Sequence, residues 1–85
     1  MQNKNEIIGR QIKLIRLQCG KTRKNVAEAV GLSQQQIEKY EKGLCRISLS
    51  KLHDISEFVG IDIVSMIPKE LRGVLNYEEH NKEIN

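Results

Sequence analysis

Apolar residues recur at helical spacing along most of the chain, and no stretch alternates apolar and polar residues as a strand would. The first predicted helix covers about residues 6–18, with Asn5 as its expected N-cap and Gly20 beyond its end. Its apolar face consists of Ile7, Ile8, Ile12, Leu14, Ile15, Leu17 and Cys19. Because no strand pattern is visible, the sequence predicts an all-α fold.

Residues 22–43 predict two short helices that meet at a tight turn. The hydroxyl of Thr22 can cap the first of them, and Gly31 can end it because glycine readily adopts the left-handed C-terminal conformation. Ser33 can cap the second, and Ser33-x-x-Gln36 has the spacing of a capping box. We therefore expect the angle between the two helices to be set from both sides of the turn.

The second helix of this pair, residues 34–42, has two distinct faces. The face expected to pack inward consists of Ile37, Tyr40, Glu41 and Leu44, at positions i, i+3, i+4 and i+7. The polar face consists of Gln35, Glu38, Lys39 and Lys42, with Gln34 at the N-terminal tip. Amides clustered at the start of a surface helix suit the edges of bases in a DNA major groove.

Two further helices are predicted after a short loop at residues 44–47. Ser48 is expected to cap the fourth helix, which Gly60 ends. The core stripe of this helix is Leu49, Leu52, Ile55, Phe58 and Val59. Asp62 is expected to cap a short fifth helix, in which the packing groups are Ile63, Val64 and Ile67.

Pro68 is expected to interrupt the helix, because proline cannot supply a backbone hydrogen bond. We therefore predict a domain of residues 1–67 and a C-terminal extension of residues 68–85. The extension is predicted to contain a helical turn at 69–75 and a polar, disordered end at 76–85.

The basic charge of the chain is concentrated in the predicted domain. The whole sequence has a formal net charge of +3. Up to residue 67 there are 11 Lys and Arg against 7 Asp and Glu, whereas residues 68–85 have 3 against 4. Such a distribution is expected of a domain whose surface faces nucleic-acid phosphates. The net charge of +3 alone would not identify a nucleic-acid-binding protein.

The sequence also lacks the features of several other classes of protein. Cys19 and Cys45 are too few and too far apart for a metal motif or a disulfide framework, and His53 and His80 have no partners at ligand spacing. No nucleophile–base pair or glycine-rich phosphate loop is present. For these reasons we expect a protein that is not an enzyme and binds no metal or cofactor. Because the sequence has no long apolar stretch and no secretory signal, we expect it to be cytoplasmic.

The sequence resembles the phage repressor and Cro-type (Xre-like) helix-turn-helix family of DNA-binding proteins. The resemblance lies in IGRQIKLIRLQCGKTRKNVAEAVGLSQQQIEKYEKG and ISLSKLHDISEFVGIDIVSM, which cover most of the chain. Ala27, Gly31, Ile37 and the Tyr40-Glu41-x-Gly43 ending fall at the family's spacings. The resemblance implies a compact five-helix bundle of the lambda-repressor-like type, with the helix-turn-helix formed by helices 2 and 3.

The resemblance also implies which residues contact DNA. Helix 34–42 would be the recognition helix, and its base contacts would be Gln34, Gln35 and Lys39. Gln36 is either a further DNA contact or is held in the capping box. The phosphate contacts would be Arg23, Lys24, Lys42 and Arg46. Many family members carry Gln where this chain has Arg23, so a guanidinium would replace the usual amide contact.

Two further sets of residues are given architectural roles. Glu41 lies on the apolar face of its helix, where an unpaired carboxylate would be costly, and the family commonly pairs it with the position of Arg16. We therefore expect an internal Arg16–Glu41 salt bridge. The short fifth helix has more apolar groups than it is expected to bury, so we predict a dimer interface formed by Ile61, Ile63, Val64 and Met66.

The function expected from this reading is a transcriptional regulator, acting as a repressor, that binds a near-palindromic operator as a homodimer. Prophage repressors, restriction-modification controllers and antitoxins share this architecture. The alternative is an antitoxin or a protein-interaction module that binds a partner protein through helix 5 and the C-terminal extension.

Overall fold

The computed structural model describes residues 3–72 of the 85 in the chain. These residues contain no strand, in agreement with the predicted all-α fold. The helices are α1 (Lys4–Gln18), α2 (Arg23–Val30), α3 (Gln34–Glu41), α4 (Leu49–Val59) and α5 (Ile63–Met66). Residues 69–72 are helical again. The disorder predicted for residues 76–85 and the end of the helical turn predicted at 69–75 lie outside the described residues.

The start of α1 differs from the prediction, because its N-cap is Asn3 and not Asn5. The Asn3 side-chain oxygen accepts a hydrogen bond from the Glu6 amide at 2.8 Å. The start of α1 lies close to the end of α3, where a Cβ added to Gly43 would lie 2.6 Å from Glu6 Cα. Only a residue without a side chain fits there, and Gly43 also has a positive φ of 72°.

A single apolar core joins the five helices. Its buried apolar members are Ile12, Ile15, Val26, Ala27, Val30, Ile37, Tyr40, Leu52, Ile55, Met66 and Ile67. Phe58 and Val59, which were predicted to belong to the α4 stripe, are partly buried against this core. Contributions from every helix make the core common to the whole described region.

Four leucines predicted to lie on apolar faces are instead exposed. Leu14 (49% exposed) and Leu17 (56%) lie at the margin of the apolar face of α1. Leu44 is 70% exposed because the chain leaves the helical path at Gly43, so the spacing from Ile37 no longer applies. Leu49 is 64% exposed. It is the first residue of α4 and lies at the edge of the domain, whereas Leu52 and Ile55 on the following turns are buried.

The packing of α1 on α3 brings the two backbones together at Gly9. A Cβ added to Gly9 would lie 2.8 Å from the carbonyl oxygen of Glu41, and closer still to that of Tyr40. This contact was not predicted from the sequence. A glycine in the interior of a helix was the available signal, because glycine weakens a helix and is often present for a packing reason.

The break at Pro68 is present as predicted. Ile67 is extended, with φ −92° and ψ 122°, as is usual for the residue before a proline. The chain then turns again, and the Leu71 amide donates to the Pro68 carbonyl at 2.9 Å. Asp62 stands at the N-cap of α5 as expected but makes no side-chain capping bond. Leu71 packs against the core, so the start of the extension is in contact with the domain.

Candidate nucleic-acid interface

The turn between α2 and α3 has the predicted geometry. Gly31 is left-handed, with φ 71° and ψ 35°, and the Leu32 amide donates to the Ala27 carbonyl at 2.9 Å. At the other end of α2 the Thr22 hydroxyl accepts from the Asn25 amide, and the Asn25 side chain accepts from the Thr22 amide, both at 3.0 Å. This reciprocal capping box was not predicted, although Asn25 stands three residues after the cap.

The capping box predicted at the start of α3 is only half formed. The Ser33 hydroxyl accepts from the Gln36 amide at 3.1 Å, as expected. The Gln36 side chain, however, donates from Nε2 to the Cys45 thiol at 3.2 Å. Gln36 is partly buried and faces the loop that follows α3, so the thiol is its partner in place of the Ser33 backbone.

The outward face of α3 carries the side chains predicted to read bases. Gln34, Gln35 and Lys39 are all exposed. Within residues 3–72 none of these three side chains has a hydrogen-bond or salt-bridge partner. Ile37 and Tyr40 on the opposite face are buried. One face of α3 is therefore anchored to the core, while the other presents two amides and an amine to the surroundings.

A buried charge cluster ties α3 to α1 and α2. The salt bridge implied for Arg16 and Glu41 is present, with Arg16 Nε 2.6 Å from Glu41 Oε2 and Nη2 3.2 Å from Oε1. Arg23 Nε also donates to Glu41 Oε1, at 3.0 Å. The Glu41 side chain is only 1% exposed. This second arginine was not predicted, because Arg23 was expected only to contact phosphate.

Comparison with known proteins identifies the family. The helix-turn-helix family model matches residues 12–65, which is more than half of the chain. The chain belongs to the helix-turn-helix family.

An uncharacterized HTH-type transcriptional regulator of Sinorhizobium medicae is 36% identical over 56 residues, which are 66% of this chain and 40% of that protein. The chain thus spans less than half the length of this curated relative. Among solved structures, the clp gene regulator ClgR from C. glutamicum superposes with a TM-score of 0.75 at 21% identity, covering 78% of this chain and 86% of that one. The restriction-modification controller protein C.AhdI from Aeromonas hydrophila gives a TM-score of 0.69 at 18% identity, covering 73% and 94%. At these identities the likeness shows the fold.

The other basic side chains predicted to contact phosphate in this helix-turn-helix protein differ in whether they form a salt bridge within the domain. Lys24 and Arg46 are exposed, whereas Lys42 Nζ is 2.8 Å from Glu38 Oε1, one helical turn away. The hydrogen bond and positive charge of Lys42 lower the pKa of Glu38, and the charge of Arg23 adds to the effect. The Glu38–Lys42 pair is therefore fully charged at pH values above 4.5, the ordinary pKa of a glutamate. It is lost as the pH falls through the lowered pKa of Glu38.

The residues predicted to form a dimer interface divide into two groups. Val64 is exposed, and Ile61 and Ile63 are partly buried. Met66 is completely buried in the core of its own chain, so its assignment to the interface is wrong for this structure. The 3.6-residue spacing places Met66 on the inward side of α5, the helix that packs against α1 and α4.

Within residues 3–72 no group of three or more His, Cys, Asp or Glu side chains is placed to hold a metal ion. No helix in the described range is long and apolar enough to cross a membrane. Cys19 and Cys45 are both free thiols.

Proposed function

We propose that this chain is a sequence-specific DNA-binding regulator of transcription that uses α3 as its recognition helix. The observation that carries the proposal is the division of α3. Its inner face is anchored by Ile37, Tyr40 and the buried Glu41, so its exposed face is held rigidly. A rigid helix with outward amides is the element that helix-turn-helix proteins insert into the major groove.

The base contacts are assigned to Gln34, Gln35 and Lys39. A glutamine amide donates and accepts at once, which matches N6 and N7 of adenine, while a lysine favours the acceptors of guanine or a nearby phosphate. Their exposure and their freedom from other partners within residues 3–72 support this assignment. Gln36 is left out, because its amide is engaged with Cys45.

The phosphate contacts are assigned to the start of α2 and to the basic residues around α3. The capping box at Thr22 and Asn25 leaves the amides of Arg23 and Lys24 free to face an anion, and the helix dipole adds to the attraction. Arg46, in the loop that follows α3, is exposed. Lys42 contributes less in this proposal, since its charge is partly neutralised by the neighbouring carboxylate.

The acting form is proposed to be a homodimer on a near-palindromic operator, with repression by exclusion of polymerase. Two copies would place their recognition helices in successive major grooves roughly 34 Å apart. Val64, with Ile61 and Ile63 beside it, is the apolar surface at which a second copy would pack. A two-fold symmetric contact of this kind matches the symmetry of a palindrome.

Selection of bound duplexes from a random DNA pool tests the proposal directly. We expect one enriched motif, made of two related half-sites with centres about 10 base pairs apart. Binding to that motif should fall steeply with added salt and exceed binding to random duplex by about a thousandfold or more. Equal, weak binding to every duplex would refute sequence-specific recognition.

A second candidate, a protein-interaction module, is favoured by one observation. A cavity of about 390 Å³ lies between α1 and the start of the C-terminal extension, and it is lined by Ile7, Arg10, Gln11, Leu14, Pro68, Lys69, Glu70 and Arg72. Apolar and charged groups together suit a peptide segment of a partner such as a toxin. Failure to select any DNA motif, together with a stable complex formed by a co-expressed neighbouring gene product, would favour this function.

A further inference from the structure

The buried cluster of Arg16, Arg23 and Glu41 carries more positive charge than negative. Two guanidinium groups share one carboxylate, which leaves one unit of positive charge. The Arg16 side chain is 8% exposed, and its Nη1 also donates to the Lys21 carbonyl at 2.9 Å. Arg16 is therefore satisfied inside the protein, and the surplus charge is presented by the other arginine.

Arg23 is arranged to offer this surplus charge to an anion. Its side chain is 35% exposed, and within residues 3–72 only its Nε is used, in the bond to Glu41. The two terminal nitrogens remain available at the N-terminus of α2, where free backbone amides and the helix dipole also favour an anion. A guanidinium can bind a carboxylate through one edge and present two N–H donors in fixed geometry to a phosphate through the other, whereas a lysine ammonium is a point charge without that geometry.

We propose that Glu41 is a positioning residue for DNA binding: it holds the Arg23 guanidinium so that both terminal nitrogens face a backbone phosphate. The inference rests on the proposed DNA-binding function. The carboxylate restricts the long Arg23 side chain before DNA arrives, so less side-chain freedom is lost on binding. Because Glu41 belongs to α3 and Arg23 to α2, the same carboxylate sets the phosphate contact relative to the base-reading face.

The first test compares arginine with lysine at position 23 on a duplex recovered by random-pool selection. Arg23→Lys keeps the charge and leaves the Arg16–Glu41 pair intact, so folding is not at risk. We expect binding about tenfold weaker, as for loss of one charge-assisted hydrogen bond, with a salt dependence close to that of the wild type. A lysine variant that binds as tightly as the wild type would overturn the inference.

The second test asks whether Glu41 acts through Arg23. Glu41→Gln is made both in the wild-type chain and in Arg23→Ala, and affinities are measured by fluorescence anisotropy below the melting transition of all variants. We expect the loss of affinity caused by Glu41→Gln to be about tenfold greater in the wild-type background than in the Arg23→Ala background. Equal losses in both would mean that Glu41 acts only by placing α3, and the positioning role would be rejected.

Lys13→Ala, which removes an exposed charge from α1, is the matched control and should bind like the wild type. The two levels of failure are separable. If the wild-type chain prefers one duplex but Arg23→Lys and Glu41→Gln bind that duplex as tightly as the wild type does, only the role of Glu41 is overturned. A wild-type chain with no preferred duplex overturns the proposed function and this inference together.

Discussion

The contact of Gly9 with α3 gives the sharpest test of the packing that orients the recognition helix. Gly9→Ala would introduce a Cβ 2.8 Å from the Glu41 carbonyl oxygen and nearer still to that of Tyr40. Both obstacles are backbone atoms of a helix, so neither can move aside alone. The variant can be accommodated only if α1 and α3 separate.

The magnitude follows from two opposing effects. Overpacking a well-filled contact costs about 1–3 kcal/mol, with the upper end expected here because the clash is with backbone. Alanine in place of glycine within a helix returns up to about 1 kcal/mol. We therefore expect the free energy of unfolding of Gly9→Ala to be lower by about 2 kcal/mol, and the melting temperature by about 10 °C.

Urea denaturation followed by circular dichroism measures this loss, and two variants serve as controls. Lys13→Ala, at an exposed site in α1, should change the free energy of unfolding by no more than about 0.5 kcal/mol. Gly31→Ala meets no atom within 4 Å but must keep a φ of 71°, so it should cost about 1–2 kcal/mol from backbone strain alone. A Gly9→Ala protein as stable as the wild type, or more stable, would refute the close packing of α1 on α3.

Three further predictions concern α3. Glu41→Ala leaves the buried Arg16 without its partner and should lower the free energy of unfolding by about 3–5 kcal/mol; an unchanged melting temperature would contradict the pairing. Gln34→Ala combined with Gln35→Ala should cost about 1–3 kcal/mol of binding free energy per lost bidentate contact, and the motif selected from random DNA should become less defined; an unchanged motif would exclude base reading by these amides. Glu38→Gln removes a negative charge beside the proposed interface and should tighten DNA binding at low salt, with the gain vanishing at high salt; equal affinities at every salt concentration would place that carboxylate away from DNA.

The limits of the helices were predictable where a few neighbouring atoms decide them. Thr22, Ser33 and Ser48 accept the capping bonds, and Gly31 and Gly60 are left-handed C-caps, as their residue types and spacings indicated. A side-chain oxygen reaches an amide three residues ahead whatever the rest of the chain does. For the same reason the all-α class and most of the core could be inferred from local periodicity.

Prediction was less accurate where two local solutions compete or where a helix ends. Asn3 and Asn5 are both suitable caps, and α1 is capped by the earlier one. Leu44 and Leu49 continue the apolar spacing of α3 and α4 in the sequence, but both are exposed. Leu44 lies beyond the end of α3, and Leu49 lies at the edge of the domain. Periodicity describes a helix and carries no information on where the core stops.

By itself, the sequence determined the helix-turn-helix and the polar face of α3, because caps, turn glycine and helical spacing all act within a few residues. The tertiary structure alone decided the contacts between residues far apart in the chain. It buried Met66 in its own core, brought Gly9 against the backbone of α3, and gave Glu41 a second arginine in Arg23. Such contacts depend on the distance and angle between helices, which are set by the packing of the whole core and by no single segment.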